Sequence, residues 1–357
     1  MEQSAYQAIY ELTRGNTVES IHYGSLAIVN VQGDLLYSYG NPYTLTYLRS
    51  TAKPFQALPF IEERGHEKYD LTLREVALIC ASHSGTDEHV AVVHSIQAKT
   101  GVRESDLMCG THPVFHPATA EALRERGEQP TPNRHNCSGK HTGMLASARL
   151  NQFDSSTYID FSHPLQQRIL RVFAEMCRMP IEQVGLGIDG CSAPNFAAPL
   201  YNTALAFARL SDPGAAGDIS IARQTACQTI TAAMTAHPDM VGGPDSFDTH
   251  LMRVANGKIV SKGGAEGYQG IGILPGALGA GSQGMGIALK ISDGDPRGRA
   301  GRAVVLEVLR QLKVLDAVEL AQLEEFGPNL PIYNWRKLVI GQARPVFVLD
   351  PHTSLSR

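Results

Sequence analysis

Ser50 and Lys53 are the first pair of residues whose types and spacing could support catalysis. They stand three residues apart in the segment RSTAK. If Ser50 caps a helix, the two side chains lie on one face, and the lysine amine can take the serine proton. A serine hydroxyl is a weak nucleophile without such a base, and a partly buried lysine with a lowered pKa can serve. The alternative is a capping serine followed by a solvated lysine.

Two further segments concentrate polar side chains. Ser82 lies in CASHSG (80–85), at the end of a helical pattern, where a small polar loop can open a site. The run HNCSGKHTG (135–143) holds Cys137, Lys140 and His141. It lacks the first glycine of a phosphate loop, which excludes that kind of nucleotide site. A helix that opens near Gly139 would favour anionic oxygens at this point.

Two cysteines and a further lysine-containing motif complete the candidate site residues. Asp189 and Cys191 lie in the irregular segment GIDGCSAPN (187–195). Cys137 and Cys191, with nearby histidines, could bind Zn²⁺, although no close ligand pair such as CxxC is present and a buried inert cysteine is the alternative. Lys262 opens KGGAEG (262–267), which also contains Glu266. This K-x-G, together with the earlier S-x-x-K, is the pattern of penicillin-interacting enzymes, but alone it is also typical of a turn.

Strand patterns lie near both chain ends and helical patterns lie between them. A Gly-Asp turn between residues 31 and 35 predicts a hairpin, and a capping box from Thr72 to Glu75 predicts a helix start. Gly101 is predicted to end a helix over 87–99. Further helices are predicted at about 139–150, 164–178, 218–236 and 299–312. Strand-like pieces are predicted at 251–254, 258–261, 286–291 and 337–339.

These elements predict an α+β fold in which one sheet is built from both chain ends and a helical region is inserted in it. We expect a single catalytic unit over residues 1–357. Its sheet subdomain would cover about 1–49 and 250–357, and its helical subdomain about 50–249. The strands and helices do not alternate as they would in a strictly parallel α/β fold.

Composition excludes several functional classes. The chain has 357 residues, of which 43% are hydrophobic and 18% are charged, and its net charge is −4. There is no basic excess to attract nucleic acid or an anionic membrane, so a small ligand is expected. The charge-free stretches 190–208 and 267–289 contain Pro, Asn or repeated Gly, and no transmembrane segment is expected. Six cysteines without a CxxC pair and an N-terminus without an apolar core predict a cytoplasmic protein with reduced thiols.

Taken together, these motifs resemble the rhizobial-type L-asparaginases, the zinc-binding asparaginase II family. The resemblance covers most of the chain. It rests on ordered strings, namely ESIHYG near residue 20, RSTAKPFQALP (49–59), CASHSG (80–85), HNCSGKHTGML (135–145), GIDGCSAPNFAAPL (187–200) and KGGAEG (262–267). It implies a fold related to the serine β-lactamases and glutaminases, with a mostly antiparallel central sheet.

The resemblance also implies an activity and a set of site residues. The implied reaction is hydrolysis of L-asparagine to L-aspartate and ammonia, and the implied oligomer is a homodimer. The family pattern implies two Ser-Lys pairs, Ser50 with Lys53 and Ser82 with Lys140. It implies one zinc ion per chain, held by Cys137, Lys140 and Cys191. For substrate binding we expect Arg49 or Lys262 at the α-carboxylate and Asp189 or Glu266 at the α-ammonium, with His141 nearby.

Other functions remain open from the sequence. A penicillin-type acyl-serine hydrolase or a glutaminase would share the serine chemistry. In a zinc-dependent amidohydrolase, metal removal would abolish activity and loss of Ser50 would not. A non-enzymatic binding module has no need for two Ser-Lys pairs with buried lysines.

Overall fold

The computed structural model describes residues 5–352, which contain strands at both ends and helices between them. The strands are β1 (Gln7–Arg14), β2 (Thr17–Asn30), β3 (Leu35–Tyr39), β4 (Leu45–Tyr47), β5 (Gly185–Ile188), β6 (Pro194–Pro199), β7 (Ile259–Gly264), β8 (Tyr268–Ile273), β9 (Met285–Ile291), β10 (Leu330–Tyr333), β11 (Val339–Pro345) and β12 (Asp350–Pro351).

The helices are α1 (Lys53–Glu62), α2 (Gly65–Lys68), α3 (Leu73–Ile79), α4 (Asp87–Thr100), α5 (Pro117–Glu125), α6 (Ser138–Leu150), α7 (Pro164–Met176), α8 (Leu200–Ser211), α9 (Ile221–Ala236), α10 (Pro238–Gly242), α11 (Phe247–Ala255), α12 (Ala300–Gln311) and α13 (Ala317–Ala321). Among residues 5–352, no helix is both long enough and apolar enough to cross a bilayer.

The chain divides into two compact units. The sheet unit comprises Met1–Thr51, Ala198–Ala216 and Val254–Arg357, and the helical unit comprises Ala52–Ala197 and Gly217–Arg253. The predicted subdomain limits lie close to these bounds, except that residues 198–216, which include α8, group with the sheet. The prediction of one catalytic unit remains a prediction.

A nine-stranded antiparallel sheet forms the sheet unit. Its order is β10-β11-β1-β2-β9-β8-β7, and β3 joins β2 to β12. Both faces of β9 are covered. On one face, a Cβ on Gly286 would lie 1.8 Å from Ala204 O of α8. Ile291 is an odd number of residues further along the strand and therefore on the opposite face, where it lies against Gly301 of α12. All seven residues of β9 are accordingly buried. The predicted mixed fold, with an antiparallel sheet from both chain ends and a helical region inserted in it, is confirmed.

In the helical unit, α1 packs against α6, α7 and α9, and α3 packs against α4, α6 and α9. The predicted capping box is present, because Thr72 accepts from the backbone of Glu75 while the Glu75 side chain accepts from Thr72 N. Gly101 ends α4 with φ of 73°. Helix α1 continues through Pro59.

Two local predictions are wrong. Residues 251–254 were expected as a strand, but they lie in α11. A short apolar run has no period that separates a buried helix from a strand, which explains this error. Of residues 337–339, also expected as a strand, only Val339 lies in one, at the start of β11, and residues 337–338 lie in the loop before it.

Candidate functional site

In the sheet unit, the turn that carries Ser50 lies against strand β7. Thr51 Oγ1 donates to Lys262 O at 3.1 Å. A Cβ on Gly264 would lie 2.5 Å from Leu48 O and 2.8 Å from Thr51 Oγ1, so only glycine allows this approach. The structure therefore brings residues 49–51 and the segment KGGAEG together within the sheet unit.

Ser50 is half-buried in a short 3-10 turn, Arg49–Ala52. The expectation that it caps a helix is wrong, because α1 begins at Lys53 after Ala52, which makes no side-chain cap. Spacing alone could not separate a capping position from a 3-10 turn.

Two non-glycine residues with left-handed backbone meet beside this turn. Arg49 has φ of 52° and Glu266 has φ of 62°. Arg49 Nη1 lies 4.0 Å from Glu266 Oε1. Residues held in this sparsely populated region cluster at functional sites, where the surrounding structure maintains the strain. Lys262, buried in β7, donates its ammonium to Gly263 O at 2.7 Å.

In the helical unit, Lys53 contacts Ser82. Lys53 is 1% exposed, and its Nζ donates to Ala81 O at 2.6 Å and to Ser82 Oγ at 2.8 Å. Asn136 O lies 3.5 Å from the same nitrogen. A buried lysine beside a half-buried serine is the arrangement that proton transfer requires.

The segment that carries Ser82 is fixed through its neighbour, His83. Ser138 Oγ donates to Asn133 O at 2.9 Å, so at the 2.8 Å contact between Ser138 Oγ and His83 Nε2 the imidazole is the donor. His83 Nδ1 then accepts from Gly85 N. Burial, followed by nearby His89 and Lys53, holds the pKa of His83 well below its usual range. A neutral imidazole with a fixed tautomer thus ties this segment to α6.

Lys140 and two cysteines form a second buried cluster in the helical unit. Lys140 Nζ lies 2.9 Å from Cys191 Sγ, and Asp189 Oδ2 lies 3.7 Å from the same sulfur. A hydrogen bond from Cys137, with help from Lys140 and His141, holds the pKa of Cys191 far below its usual range. The same hydrogen bond, together with burial, raises the pKa of Cys137. The pair is therefore one thiolate and one thiol.

The charge of Lys140 follows from this thiolate. Burial disfavours its ammonium, but Cys191, Cys137 and Asp189 outweigh burial and raise its pKa. Beside this cluster, His141 Nδ1 lies 2.6 Å from Tyr158 OH, and Tyr158 accepts from Met108 N. Burial lowers the pKa of His141, so its imidazole is neutral. Tyr158 was missed from the sequence, which gives no signal to separate it from the other tyrosines.

The donor set of Cys137, Lys140 and Cys191 suits Zn²⁺, which prefers thiolate and nitrogen ligands. Among residues 5–352, no group of three or more His, Cys, Asp and Glu side chains is arranged to hold a metal. A metal in this cluster therefore depends on the nitrogen of Lys140. Binding would require Lys140 and Cys137 to lose their protons.

The predicted site residues thus fall into two sets. Arg49, Ser50, Lys262 and Glu266 lie in the sheet unit, and Lys53, Ser82, Lys140, His141, Asp189, Cys137 and Cys191 lie in the helical unit. Hydrogen bonds join Ser82 to Lys53 and Lys140 to Cys191. The pairing of Ser82 with Lys140 remains a prediction.

A sequence model of the family described as L-asparaginase II matches residues 10–345. The chain belongs to the L-asparaginase II family. It is an amidohydrolase of the asparaginase and glutaminase type. A comparison with curated proteins found no significant match.

Solved structures similar to this amidohydrolase include glutaminases. A Bacillus glutaminase crystallised in 4.3 M NaCl is 12% identical, with a TM-score of 0.37 over 82% of this chain and 91% of that chain. A probable glutaminase from Bacillus subtilis, complexed with 6-diazo-5-oxo-L-norleucine, is also 12% identical, with a TM-score of 0.38 over 82% and 84%. Similarity at this level does not assign a substrate.

Proposed function

We propose that this amidohydrolase is an L-asparaginase that acts through a serine nucleophile. The proposal rests on the match to the L-asparaginase II family. In this chain the lysine of the S-x-x-K motif, Lys53, is buried, and its Nζ lies 2.8 Å from Ser82 Oγ. Burial of a lysine is costly and is rarely found without a partner or a task.

Ser50 is the proposed nucleophile and Lys53 its base. Lys53 Nζ in its neutral form takes the Ser50 proton as Oγ attacks the side-chain carboxamide carbon of asparagine. The tetrahedral intermediate then collapses, the C–N bond breaks, and the nitrogen receives a proton and leaves as ammonia. The product is an aspartyl ester on Ser50. Water hydrolyses this ester, with Lys53 again accepting a proton, and releases aspartate.

Ser82 is the proposed proton relay. Its hydroxyl accepts from Lys53 Nζ, so it can pass a proton from that lysine towards the departing nitrogen. We assign the second Ser-Lys pair to Ser82 and Lys140, which would relay the proton to the leaving group or support Ser50. The neutral His83 keeps the relay in place, because its hydrogen bond to Ser138 fixes the backbone next to Ser82.

We also propose a zinc site at Cys137, Lys140 and Cys191. The metal would supply positive charge that orders the segments around it and favours anionic oxygens. The serine already supplies the chemistry, so the expected role is positioning. The thiolate at Cys191 and the thiol at Cys137 must stay reduced, which favours the cytoplasm as the location.

Recognition of asparagine requires a cation for its α-carboxylate and an acceptor for its α-ammonium. Arg49 or Lys262 is proposed for the first role, and Asp189 or Glu266 for the second. His141, which is neutral, is proposed to orient the substrate by hydrogen bonding. The homodimer implied by the family resemblance is tested by light scattering on the purified protein.

Ammonia release tests the proposal. The wild type should release ammonia from L-asparagine faster than from L-glutamine, and Ser50→Ala should lose nearly all of this activity. Ser292→Ala, an exposed serine in the same unit, is the matched control. Faster release from glutamine would favour a glutaminase, and nitrocefin turnover would favour a penicillin-type hydrolase. Activity that survives Ser50→Ala but disappears on chelation would favour a zinc-dependent amidohydrolase.

A further inference from the structure

Lys290 is a buried lysine in an otherwise apolar strand, β9. It is 8% exposed, and its Nζ donates to Glu266 O at 2.5 Å and to Ile291 O at 2.6 Å. A charged donor that is removed from water must be compensated by such bonds. The two carbonyl groups belong to the turn between β7 and β8 and to the end of β9, so the ammonium joins them.

One of the two carbonyl groups that accept from Lys290, that of Glu266, belongs to a residue with a strained backbone. Glu266 has φ of 62°, a conformation that costs free energy in a non-glycine residue and persists only when neighbours impose it. A hydrogen bond from an ammonium is stronger than one from a neutral donor. Lys290 therefore holds the peptide of Glu266 in this conformation. The backbone bond from Ile291 N to Gly267 O, 2.9 Å long, supports the same turn.

The conformation of this turn decides where the Glu266 carboxylate lies. A Cβ on Gly294 would lie 2.6 Å from Glu266 Oε2, and Arg49 Nη1 lies 4.0 Å from Oε1. The carboxylate is thus placed between the chain at Gly294 and the guanidinium that precedes Ser50. A change of φ at Glu266 would swing this carboxylate away from Arg49.

We propose that Lys290 is a positioning residue for substrate binding, which holds the Ala265–Gly267 turn so that Glu266 and Arg49 present opposite charges beside Ser50. The opposite charges suit a zwitterionic amino acid, whose α-ammonium and α-carboxylate need one partner each. The proposal rests on the proposed asparaginase function. Lys290 touches no reacting atom, so it acts on substrate affinity through Glu266.

The pKa of Lys290 is lowered by burial, against which Glu266 and Asp293 act. Glu266 and Asp293 are the charged groups that face this ammonium, and both favour its protonated form. A neutral amine carries no positive charge and has only two N–H donors, so it would hold the two carbonyl groups less strongly.

The test compares Lys290→Met, which keeps the length of the side chain and removes its donors, with Lys290→Arg, which restores them. Lys258→Met is the matched control, since Lys258 also lies in the sheet unit and donates to a backbone oxygen, Val314 O, at 3.2 Å. Steady-state kinetics with L-asparagine and hydrogen exchange of the amides of residues 264–268 are measured on the full-length protein.

We expect Lys290→Met to raise KM by about 10-fold to 150-fold, the loss typical of one hydrogen bond between a charged group, here Glu266, and a ligand, with kcat changed less than about 3-fold. Exchange in the turn should accelerate, Lys290→Arg should recover most of the affinity, and Lys258→Met should match the wild type. Faster exchange with unchanged KM would overturn the proposal, as would exchange and KM that both stay at wild-type values. A wild type that releases no ammonia would instead overturn the asparaginase function and the substrate role of Lys290 with it.

Discussion

Replacement of Lys53 by methionine separates a catalytic role from a structural one. Methionine preserves the length and apolar stem of the side chain, and it removes the amine that donates to Ala81 O and Ser82 Oγ. A positioned general base contributes about 10²-fold to 10⁴-fold to a rate. At about 1.36 kcal/mol for each factor of ten, the barrier should rise by about 3 to 5 kcal/mol.

The expected effect of Lys53→Met on stability is smaller. One buried acceptor, Ala81 O, loses its donor, at a cost of about 1 to 3 kcal/mol. Ser82 is half-buried and can bond to water in place of the amine. Removing a buried polar group offsets part of the cost. The net loss is small beside the roughly 5 to 15 kcal/mol that stabilises a typical domain, so the variant should remain folded.

The assay is ammonia release from L-asparagine, with the melting temperature measured on the same preparation. Lys99→Met is the matched control, because Lys99 also lies in the helical unit and donates to a backbone oxygen, Asp70 O, at 2.7 Å. We expect kcat to fall at least about 100-fold for Lys53→Met and to stay near the wild-type value for Lys99→Met. A folded Lys53→Met enzyme that keeps more than a tenth of the wild-type kcat would refute the assignment of Lys53 as the base.

Three further predictions follow from the buried groups and the close approaches. The pKa of His83 is lower in the folded than in the unfolded protein, so the free energy of unfolding should be constant above about pH 6.5 and should fall below that pH, by up to about 1.4 kcal/mol per pH unit. Thermal melts in acid should show a weaker dependence of stability on pH for His83→Gln, and an equal dependence would contradict this. Zinc binding must displace protons from Cys137 and Lys140, so calorimetry should show affinity rising by up to about 100-fold per pH unit, whereas a pH-independent affinity would count against the site. Gly264→Ala should destabilise the protein by about 1 to 3 kcal/mol and lower its activity. The control, Gly214→Ala, places its Cβ where nothing lies within 4 Å and should not change the melting temperature. Equal melting temperatures for the two variants would contradict the close packing at Gly264.

The sequence predicts local structure well where the signal lies within a few residues. The turn before β3, the capping box at Thr72 and the glycine that ends α4 each depend on neighbours in the chain, and the structure contains all three. The short apolar run at 251–254 fails because its packing partners, and not its own pattern, decide between helix and strand.

The site was less predictable than the fold because its contacts join distant segments. The types and positions of Lys53 and Ser82 were visible in their motifs, but their hydrogen bond depends on how α1 and α3 pack. Lys290 could have been noticed in the sequence, because it is a lysine inside an apolar strand. The strained conformation of Glu266 had no signal in the sequence, since left-handed backbone is ordinarily expected at glycine.

Capture of the acyl-enzyme shows directly whether Ser50 is the nucleophile. Wild-type protein is mixed with isotopically labelled L-asparagine, quenched in acid within milliseconds to seconds, digested and analysed by mass spectrometry. We expect a labelled aspartyl ester on the peptide that contains Ser50, which hydroxylamine releases and which is missing from Ser50→Ala. Ammonia release at the full rate with no label on that peptide, or with the label on another residue, would contradict it.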